Sequence, residues 1–566
     1  MQAMRRAVLA ISVCAAPLLA APAHASQDLL GLQALRAAHV RSLPLDGSAE
    51  PASTRIAARS GRARVLVGVR EHADLTGVAK ELEDLGARPE SFDLIGVLAA
   101  TVPDGDALAA ELADDPRVAY VEPDRKLHTA IDPLDAVDPL TTPPLKYTWS
   151  YDAVRAGEAL IAAGGGSRRS IAVMDTGLDI THPEFAGRIS RTYDTFTGGS
   201  DVTDAVGHGT FVTGLIAAVD GNGIGTKGVA GNTKVLAIRA SKDGDFTTRD
   251  LLRGIDFAIR RGADVLNMSL AGSESTDTPT LARALALAFL NDVLPVAASG
   301  NTGNSGNQLQ FPAAVLGGRS GAPGIGLSVG ATKPDGQPAD FSTHNRYVSI
   351  AAPGAAENCT EGVLSTLPAA GGTEWDPPFP IGVCPSRLVP QGAVRFGYGQ
   401  GTSFAAPIVS GIAALVWQVE PRLASEQVAQ VLIRSAHQTR GRGWNQYTGA
   451  GLVDGKTATD LARAYDVTSP RVKGKARRHG GTVAVRLSKV KDRSERGREV
   501  AGHVTYGLLV SRDGGKGYDI VVNGRHRAFR KAVKLKGRKL NVFVATACDG
   551  NGNCGVKRLG RFRRPR

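Results

Sequence analysis

Hydrophobic and polar positions follow two rhythms in the longest part of this chain. Between residues 151 and 467, short apolar runs alternate with stretches in which apolar residues recur every three or four positions. Short apolar runs bounded by turn residues are typical of buried strands, and the wider spacing is typical of helices. Strands that alternate with helices indicate an α/β domain with a mostly parallel sheet over residues 151–467.

The predicted elements of this domain place polar residues at the ends of apolar runs. Strands are expected at 170–174, 234–239, 265–270 and 294–298, and helices at 211–219, 251–261, 281–289 and 408–417. In such folds ligands and catalytic groups gather at the carboxyl ends of the strands. We therefore look for a functional site where these strands end.

Two flanking regions have patterns of their own. Residues 62–126 combine three apolar strands with two amphipathic helices, which predicts a small α+β unit. By itself this unit could be a ferredoxin-like or metal-binding module, although it has no cluster of cysteine or histidine. Residues 468–566 contain short alternating strands and predict an all-β, sandwich-like domain.

The first 25 residues have the three parts of a secretory signal peptide. Arg5 and Arg6 precede an apolar run from 7 to 19, and residues 23–25 have the small-x-small pattern of a cleavage site. A transmembrane anchor needs about 20 apolar residues, which this run does not reach. Export to the extracellular space without a membrane anchor is expected.

Two segments lack a clear periodic pattern. Residues 26–61 are rich in Ala, Arg and Ser and are expected to be loosely ordered. Residues 127–150 are rich in Pro and Asp, which predicts a linker, and a linker between two folded units is where proteolytic processing would occur.

The charge of the chain is concentrated at one end. Residues 468–566 hold 27 Lys and Arg against 6 Asp and Glu, a net charge of +21, whereas residues 1–467 hold 40 against 48, a net charge of −8. The basic stretches 525–539 and 558–566 favour adhesion to an anionic polymer, such as cell-wall material or nucleic acid. The alternative is a solvated face that aids secretion or stability.

The positions of the five cysteines indicate an oxidising compartment. Cys14 lies in the N-terminal apolar run, and the other four form an even set for which three pairings are open. The pairings Cys359–Cys384 and Cys548–Cys554 are local and fall in different predicted domains. We predict these two disulfides, which agree with an extracellular protein.

Four polar residues stand at the ends of predicted elements. Asp175 ends a strand, His208 starts a helix, Asn301 follows a strand, and Ser403 lies in the first turn of a buried helix. Each alone has a structural interpretation as a turn or cap residue. Together they supply an orienting carboxylate, a base that titrates near neutral pH, an amide donor and a nucleophile. A serine hydroxyl is a poor nucleophile without an adjacent base.

The sequence around these residues resembles the subtilisin family of serine proteases. The matching blocks are 171–179 with 181–185, 207–214, 297–301 and 401–407. The order Asp, His, Ser is that of subtilisin. The resemblance implies that Ser403 attacks the scissile carbonyl, His208 transfers the proton, Asp175 holds the imidazole, and the Asn301 amide binds the oxyanion. It implies a serine endopeptidase that acts on proteins or peptides through an acyl-enzyme and needs no cofactor for its chemistry.

The resemblance extends to substrate contacts. Ser269, Leu270, Ala271 and Gly272 resemble the family strand that pairs with extended substrates, and Gly300 precedes the oxyanion asparagine. These five residues are the implied substrate-binding set. Residues 355–399 form a Gly- and Pro-rich insertion before the serine block, and we expect it to shape the cleft.

The position after the nucleophile departs from the frequent family pattern. Phe404 stands there instead of methionine, which removes a thioether that peroxide would oxidise.

The segment 220–230 resembles the loop that binds calcium in many subtilases. Asn222 matches a side-chain ligand, and Glu184 stands where an aspartate usually contributes. The resemblance implies a structural calcium ion, which takes six to eight oxygens. A metal-free glycine loop is the alternative.

The flanking units also resemble known modules. Residues 62–126, which end in 120–124, resemble the inhibitor propeptide of subtilases, and this implies a zymogen inhibited by its own propeptide. Residues 540–551 resemble the last hairpin of bacterial immunoglobulin-like domains. We expect a monomer.

Two other functions and one other nucleophile are alternatives to this hypothesis. The first function is a catalytically silent adhesin on the same scaffold, which would not need the complete set of polar residues. The second is an acid-acting relative, which would have a glutamate base in place of His208 and an oxyanion aspartate in place of Asn301. The pattern Gly-x-Ser-x-Gly around Ser328 requires a following helix. Pro334 and Pro338 prevent one, so we predict that Ser328 lies in a strand.

Overall fold

A computed structural model of the chain describes residues 63–70, 74–129, 148–222, 224–272, 279–321, 324–355, 362–370, 394–439, 441, 443–490, 492, 504–512, 519–525, 529–536 and 540–565. The signal peptide 1–25, the segment 26–61 and the predicted Cys359–Cys384 disulfide lie outside the described residues. Three folded parts follow in order: an N-terminal unit (63–123), a central domain (148–467) and a tail domain (468–565).

The N-terminal unit is a four-stranded antiparallel sheet with two helices. Its elements are β1 Ala63–Val69, α1 Leu75–Asp84, β2 Glu90–Phe92, β3 Val97–Val102, α2 Gly105–Leu112 and β4 Val118–Pro123, with strand order β2-β3-β1-β4. The apolar residues of α1 and α2 pack on the sheet. Phe92 and Ile95 join the core of the central domain instead, so the unit is docked on that domain. The predicted α+β unit is confirmed, with β2 as an additional short strand.

The next strand, β5 Lys126–Thr129, lies at the start of the stretch that the sequence predicts to be a linker. It forms a three-stranded sheet with two strands of the central domain, β11 Leu270–Ala271 and β9 Asp245–Thr247.

The central domain is built around a seven-stranded parallel sheet. Its elements are α3 Trp149–Ala153, α4 Ala156–Ala162, β6 Ser170–Asp175, β7 Ile189–Asp194, α5 His208–Ala217, β8 Lys234–Arg239, β9 Asp245–Thr247, α6 Thr248–Arg260, β10 Val265–Met268, β11 Leu270–Ala271, α7 Pro279–Leu290, β12 Leu294–Ala298, α8 Ala313–Leu316, β13 Leu327–Thr332, β14 Ile350–Pro353, β15 Val363–Leu367, β16 Arg395–Gly399, α9 Thr402–Val419, α10 Ser425–Ser435 and α11 Gly455–Ala464. The large sheet has the order β14-β13-β12-β10-β6-β8-β7, and all its pairings are parallel. The predicted α/β fold is confirmed.

The helix α9 is the apolar centre of this domain. Residues Thr402 to Trp417 are all buried, because the helix packs against the sheet on one side and against α5 and α11 on others. Among the described residues it is the one helix long and apolar enough to cross a membrane, and 89% of it is buried within the protein. Its hydrophobicity is therefore explained by the core.

The tail domain consists of two antiparallel sheets around one core. Its strands are β17 Gly474–His479, β18 Thr482–Leu487, β19 Thr505–Ser511, β20 Asp519–Arg525, β21 Arg530–Lys534, β22 Asn541–Cys548 and β23 Cys554–Phe562. The sheets have the orders β17-β18-β21 and β20-β19-β22-β23, and alternate residues of both contribute to the core. Cys548 and Cys554 form a disulfide across the last hairpin, which confirms that predicted pair.

Candidate active site

The strand β6 and the helix α5 bring Asp175 and His208 together. Asp175 is the last residue of β6, and His208 is the first residue of α5. His208 Nδ1 lies 2.6 Å from Asp175 Oδ1, and neither residue has accessible surface. The backbone N–H of Thr176 donates to the same carboxylate oxygen at 2.8 Å. Since Nδ1 is committed to the carboxylate, Nε2 is the ring nitrogen left to exchange a proton.

A second buried acid, Asp204, fixes the start of α5, and sequence reasoning missed it. Its two carboxylate oxygens accept hydrogen bonds from Gly207 N and Thr210 N, both at 2.8 Å. Asp204 also accepts the hydroxyl of Thr176 at 2.8 Å, and Thr176 in turn accepts the N–H of Gly209 at 2.9 Å. A carboxylate at a helix N-terminus is favoured by the unpaired N–H groups and the helix dipole. Asp204 therefore positions the helix that carries His208.

A sharp backbone turn starts the helix that carries Ser403. Gly401 has φ of 151°, a conformation that residues with a side chain rarely adopt, and its N–H donates to Gly354 O at 2.7 Å. Ser403 Oγ donates to Ser269 O at 3.0 Å, and Ser269 Oγ donates to Ser403 O at 2.7 Å. The ring of Phe404 lies 5.8 Å from that of His208, so the first turn of α9 is adjacent to α5.

Asn301 is held against the same turn. Its Oδ1 accepts hydrogen bonds from Thr402 N at 3.1 Å and from Thr402 Oγ1 at 2.8 Å. A backbone N–H can only donate, so this contact identifies the oxygen of the amide and leaves Nδ2 as the donor. Asn301 and the serine turn form one hydrogen-bonded unit.

The predicted substrate-binding residues surround this unit. Gly300 N donates to Thr402 Oγ1 at 3.1 Å, and Gly300 has φ of 98°. A Cβ at this position would lie 2.3 Å from Gln310 Cγ, so a glycine is required. Gly272, the residue after β11, exchanges backbone hydrogen bonds with Phe311 at 3.0 and 2.9 Å. The backbone groups of β11 itself are left to pair with another strand.

The cleft between β11 and β9 contains the chain's own strand β5. Leu270 pairs with Thr129 and Ala271 with His128, in antiparallel register. On the other side His128 pairs with Asp245, also antiparallel. An extended segment thus adds as a middle strand between two edges, the binding mode of β-strand addition.

The described ends of the predicted insertion brace the histidine helix. β15 and β16 form an antiparallel hairpin. Ser365 Oγ donates to Phe211 O at 2.6 Å, and Thr366 Oγ1 donates to Thr210 O at 2.8 Å, so this hairpin supports the first turn of α5. The residues between the two strands lie largely outside the described ones.

Ser328 is separate from this site. It lies in β13, is buried, and is followed by a turn at Lys333 and not by a helix. The prediction that Ser328 is a strand residue is confirmed.

The two residues predicted as calcium ligands are in contact with each other. Asn222 Nδ2 donates to Glu184 Oε2 at 2.8 Å, and Thr226 N donates to Glu184 Oε1 at 3.2 Å. Asn222 Oδ1 accepts the N–H of Ile224 at 3.1 Å. Burial raises the pKa of Glu184, and these hydrogen bonds oppose the rise. Asn222 turns its NH₂ group and not its oxygen towards Glu184, whereas calcium takes converging oxygens. This arrangement does not fit the ion, and the calcium site stays a prediction.

A parallel α/β sheet with a buried Asp–His pair beside a serine at a helix start defines a site of the serine hydrolase type. Residues 166–451 match the family described as the subtilase family, peptidase S8. The chain belongs to this family and is a serine endopeptidase, which confirms both predictions.

Individual relatives agree with this assignment. The chain is 30% identical over 376 residues to a thermophilic serine proteinase of Bacillus sp. (strain AK1), covering 64% of this chain and 81% of the relative. It is 30% identical over 416 residues to alkaline elastase YaB of Bacillus sp. (strain YaB), covering 71% and 93%. It is 28% identical over 402 residues to subtilisin E of Bacillus subtilis (strain 168), covering 70% and 90%.

Proposed function

We propose that this endopeptidase is secreted as an inhibited zymogen and cleaves peptide bonds with Asp175, His208 and Ser403. The observation that carries the catalytic assignment is the 2.6 Å contact between Asp175 and His208 beside the first turn of α9. Secretion is supported by the predicted signal peptide and by the disulfide of the tail domain.

The chemistry follows from the atoms that are available. His208 Nε2 takes the proton of Ser403 Oγ while that oxygen forms a bond to the scissile carbonyl carbon. The Asn301 Nδ2 group and the Ser403 N–H stabilise the oxyanion. The intermediate expels the amine, which receives the proton from His208, and an acyl-enzyme remains. Water then attacks the ester with His208 as base, and the acid product and Ser403 are released.

The experiment that tests this assignment is labelling with a fluorophosphonate probe. Ser403→Ala is expected to abolish labelling and casein hydrolysis at neutral to alkaline pH, and phenylmethylsulfonyl fluoride is expected to block the unmodified enzyme. Ser328→Ala is the matched control, since it removes the other serine in a hydrolase-like pattern and should leave labelling intact. Undiminished labelling of Ser403→Ala would refute the assignment.

Contacts between the N-terminal unit and the central domain support autoinhibition. Arg253 donates two hydrogen bonds to Glu90 at 2.6 Å, and Thr280 N donates to Glu122 Oε1 at 3.3 Å. Thr280 Oγ1 donates to Tyr120 Oη at 2.9 Å. These contacts hold the unit on the surface from which β5 runs into the cleft. A substrate would have to displace β5 from β11 in order to bind.

The register of β5 indicates which bond is processed. Thr129, the last described residue of β5, lies opposite Leu270, and the preceding residue Ser269 has its carbonyl 3.0 Å from Ser403 Oγ. Ala130, the residue after Thr129, lies outside the described residues. We expect cleavage of the bond between Ala130 and Ile131. N-terminal sequencing of the mature enzyme should read from Ile131, and processing should be lost in Ser403→Ala. A first mature residue beyond 133 would contradict the register.

The basic tail domain supports a second role, adhesion to an anionic cell-surface polymer. Lys534, Lys536 and Arg564 line one groove together with Thr482. Three cations in one groove suit a repeated anion, and the attraction should weaken as salt screens it. Retention on anionic cell-wall material that falls with salt, and that is reduced by Lys534→Ala with Lys536→Ala, supports this role. Retention that salt does not change, or no retention, opposes it.

We also propose that the enzyme is a monomer, which size-exclusion chromatography tests.

A further inference from the structure

Three carboxylates from separate segments meet where the central domain joins the tail domain. Asp466 follows α11 at the end of the central domain, Asp492 follows β18, and Asp549 lies in the turn between β22 and β23. One carboxylate oxygen of each lies within 4.8 Å of those of the other two. These residues are far from Glu184 and Asn222 in sequence and belong to a different part of the fold.

The Asp466 carboxylate faces this cluster, and within the described part of the chain only one of its two oxygens accepts a hydrogen bond. It has no accessible surface, and its Oδ1 accepts the N–H of Thr468 at 2.9 Å. Its Oδ2 is buried and accepts no hydrogen bond from the described part of the chain. An ionised carboxylate in such a place is costly unless a cation compensates it.

The turn that carries Asp549 is fixed independently of any ion. Asp549 Oδ1 accepts the N–H groups of Asn551 and Asn553, both at 2.9 Å. Asn553 Nδ2 donates to Asp549 Oδ2 at 2.8 Å and to Asp466 O at 2.6 Å. Gln427 of α10 donates to Asn551 O at 3.0 Å and to Asn553 Oδ1 at 2.7 Å. The turn is therefore attached to the central domain, and Asp549 is held next to Asp466.

The charges within the cluster repel one another. Their oxygens lie within 4.8 Å of one another, and Asp466 and Asp549 are both buried, so little water separates the like charges. A divalent cation between the carboxylates would remove this repulsion.

We propose that Asp466, Asp492 and Asp549 bind a calcium ion that ties the tail domain to the central domain. All three side chains offer carboxylate oxygens, which suit hard cations, whereas zinc is bound mainly by Cys and His. Oxygens bound to one calcium ion at 2.3–2.6 Å lie at most about 5 Å apart, which matches the size of the cluster. Magnesium needs a shorter, near-octahedral cage, which three loop segments fit less well.

Thermal denaturation of the full chain tests the site. The chain is prepared with Ser403→Ala to prevent self-digestion, freed of metal with a chelator, and titrated with calcium or magnesium chloride. Calcium is expected to raise the midpoint of unfolding by several degrees, with magnesium much weaker. Asp492→Asn, which keeps the shape and removes one charge, should weaken the apparent calcium affinity at least tenfold. Asn222→Ala, in the other loop, is the matched control and should leave this response unchanged.

Asp492→Asn is the deciding variant because Asp492 is only half-buried and its replacement is expected to fold. Asp466→Asn should give the same loss. Loss of the calcium response in Asn222→Ala but not in Asp492→Asn would assign the ion to the other loop and overturn the proposal. No calcium response in the unmodified cluster, or an equal response to magnesium, would overturn it as well.

Discussion

Thr402 donates two hydrogen bonds to one atom, Oδ1 of Asn301, at 3.1 Å from its backbone N–H and at 2.8 Å from its hydroxyl. The residue before the proposed nucleophile thus sets the orientation of the proposed oxyanion donor. A preorganised donor stabilises charge that develops in the transition state without cost at the moment of reaction. The proposed donor is therefore hydrogen-bonded directly to the turn that carries the proposed nucleophile.

Removing the donor should affect the chemical step and leave substrate binding nearly unchanged. Asn301→Ala is expected to lower kcat by about 10²–10³-fold with little change in KM, a magnitude measured for an oxyanion donor of subtilisin, a member of the same family. Steady-state kinetics on a peptide substrate measure both constants.

Thr402→Val separates the orientation of the donor from its presence. This variant keeps the backbone hydrogen bond to Asn301 and removes the hydroxyl one, so kcat should fall less than in Asn301→Ala. Thr402→Ser, which keeps both, is the matched control. A rise in KM with kcat unchanged in Asn301→Ala would contradict the oxyanion role.

The contact between Asp175 and His208 yields a second prediction. Asp175→Asn should keep the buried geometry, but its side chain offers Nδ1 of His208 either an N–H group or an uncharged oxygen. The imidazole is then no longer held in the tautomer in which Nε2 is the basic nitrogen. From the corresponding substitution in a serine protease triad, kcat is expected to fall about 10⁴-fold. Asp201→Asn, an exposed acid nearby, is the control and should retain activity. A loss of less than tenfold in Asp175→Asn would be inconsistent with the triad.

Strong local patterns explain how much of the fold the sequence predicts. The strands Lys234–Arg239 and Leu294–Ala298 coincide with the predicted ones, because short apolar runs end there at polar or glycine residues. The residues proposed for catalysis can be predicted from the sequence because each lies in a short block whose residue types the local backbone requires. Gly401, with its φ of 151°, is an example.

Other features depend on partners that are distant in sequence. Lys126–Thr129 has no clear strand pattern and becomes a strand because residues 245–247 and 270–271 leave an open place between them. Asp204 looks like an ordinary loop acid, and only the fold shows that it accepts the N–H groups at the start of α5. The edge strand Ile189–Asp194 is largely polar, so its pairing with β8 defines it.

The side chain after the proposed nucleophile predicts resistance to oxidation. Phe404 has no accessible surface and packs on Phe211 with ring centroids 4.3 Å apart. Met174 and Met268 are also fully buried, so the described residues offer peroxide no accessible thioether near the site. The enzyme should keep most of its activity in hydrogen peroxide that inactivates Phe404→Met. Equal loss of activity in the two proteins would refute this explanation.

Two acids at the interface of the N-terminal unit should respond to pH with opposite signs. Burial pushes the pKa of Glu90 upward, but the hydrogen bonds and charges of Arg253 and Arg249 outweigh it and hold that pKa below its ordinary value. Burial raises the pKa of Asp124 to about 6, although Arg249 N donates to its Oδ1 at 3.0 Å. Glu90 therefore stabilises the full chain at neutral pH and loses this effect as the pH falls, whereas Asp124 destabilises the full chain once ionised.

Replacing Asp124 should stabilise the full chain at high pH only. Unfolded Asp titrates near pH 3.9, so its favourable contribution is complete below about pH 4 and is lost as the pH rises to about 6. Asp124→Asn can still accept the N–H of Arg249, and it removes the buried negative charge. At pH 8 this should lower the free-energy cost of that charge by about 1–2 kcal/mol, a modest value because solvent screens a residue that is partly exposed. In the full chain carrying Ser403→Ala, Asp124→Asn should raise the thermal midpoint by a few degrees at pH 8 and leave it unchanged near pH 4. Glu90→Gln should lower the midpoint at pH 8. An equal effect of Asp124→Asn at both pH values would show that the charge of Asp124 is not its cause.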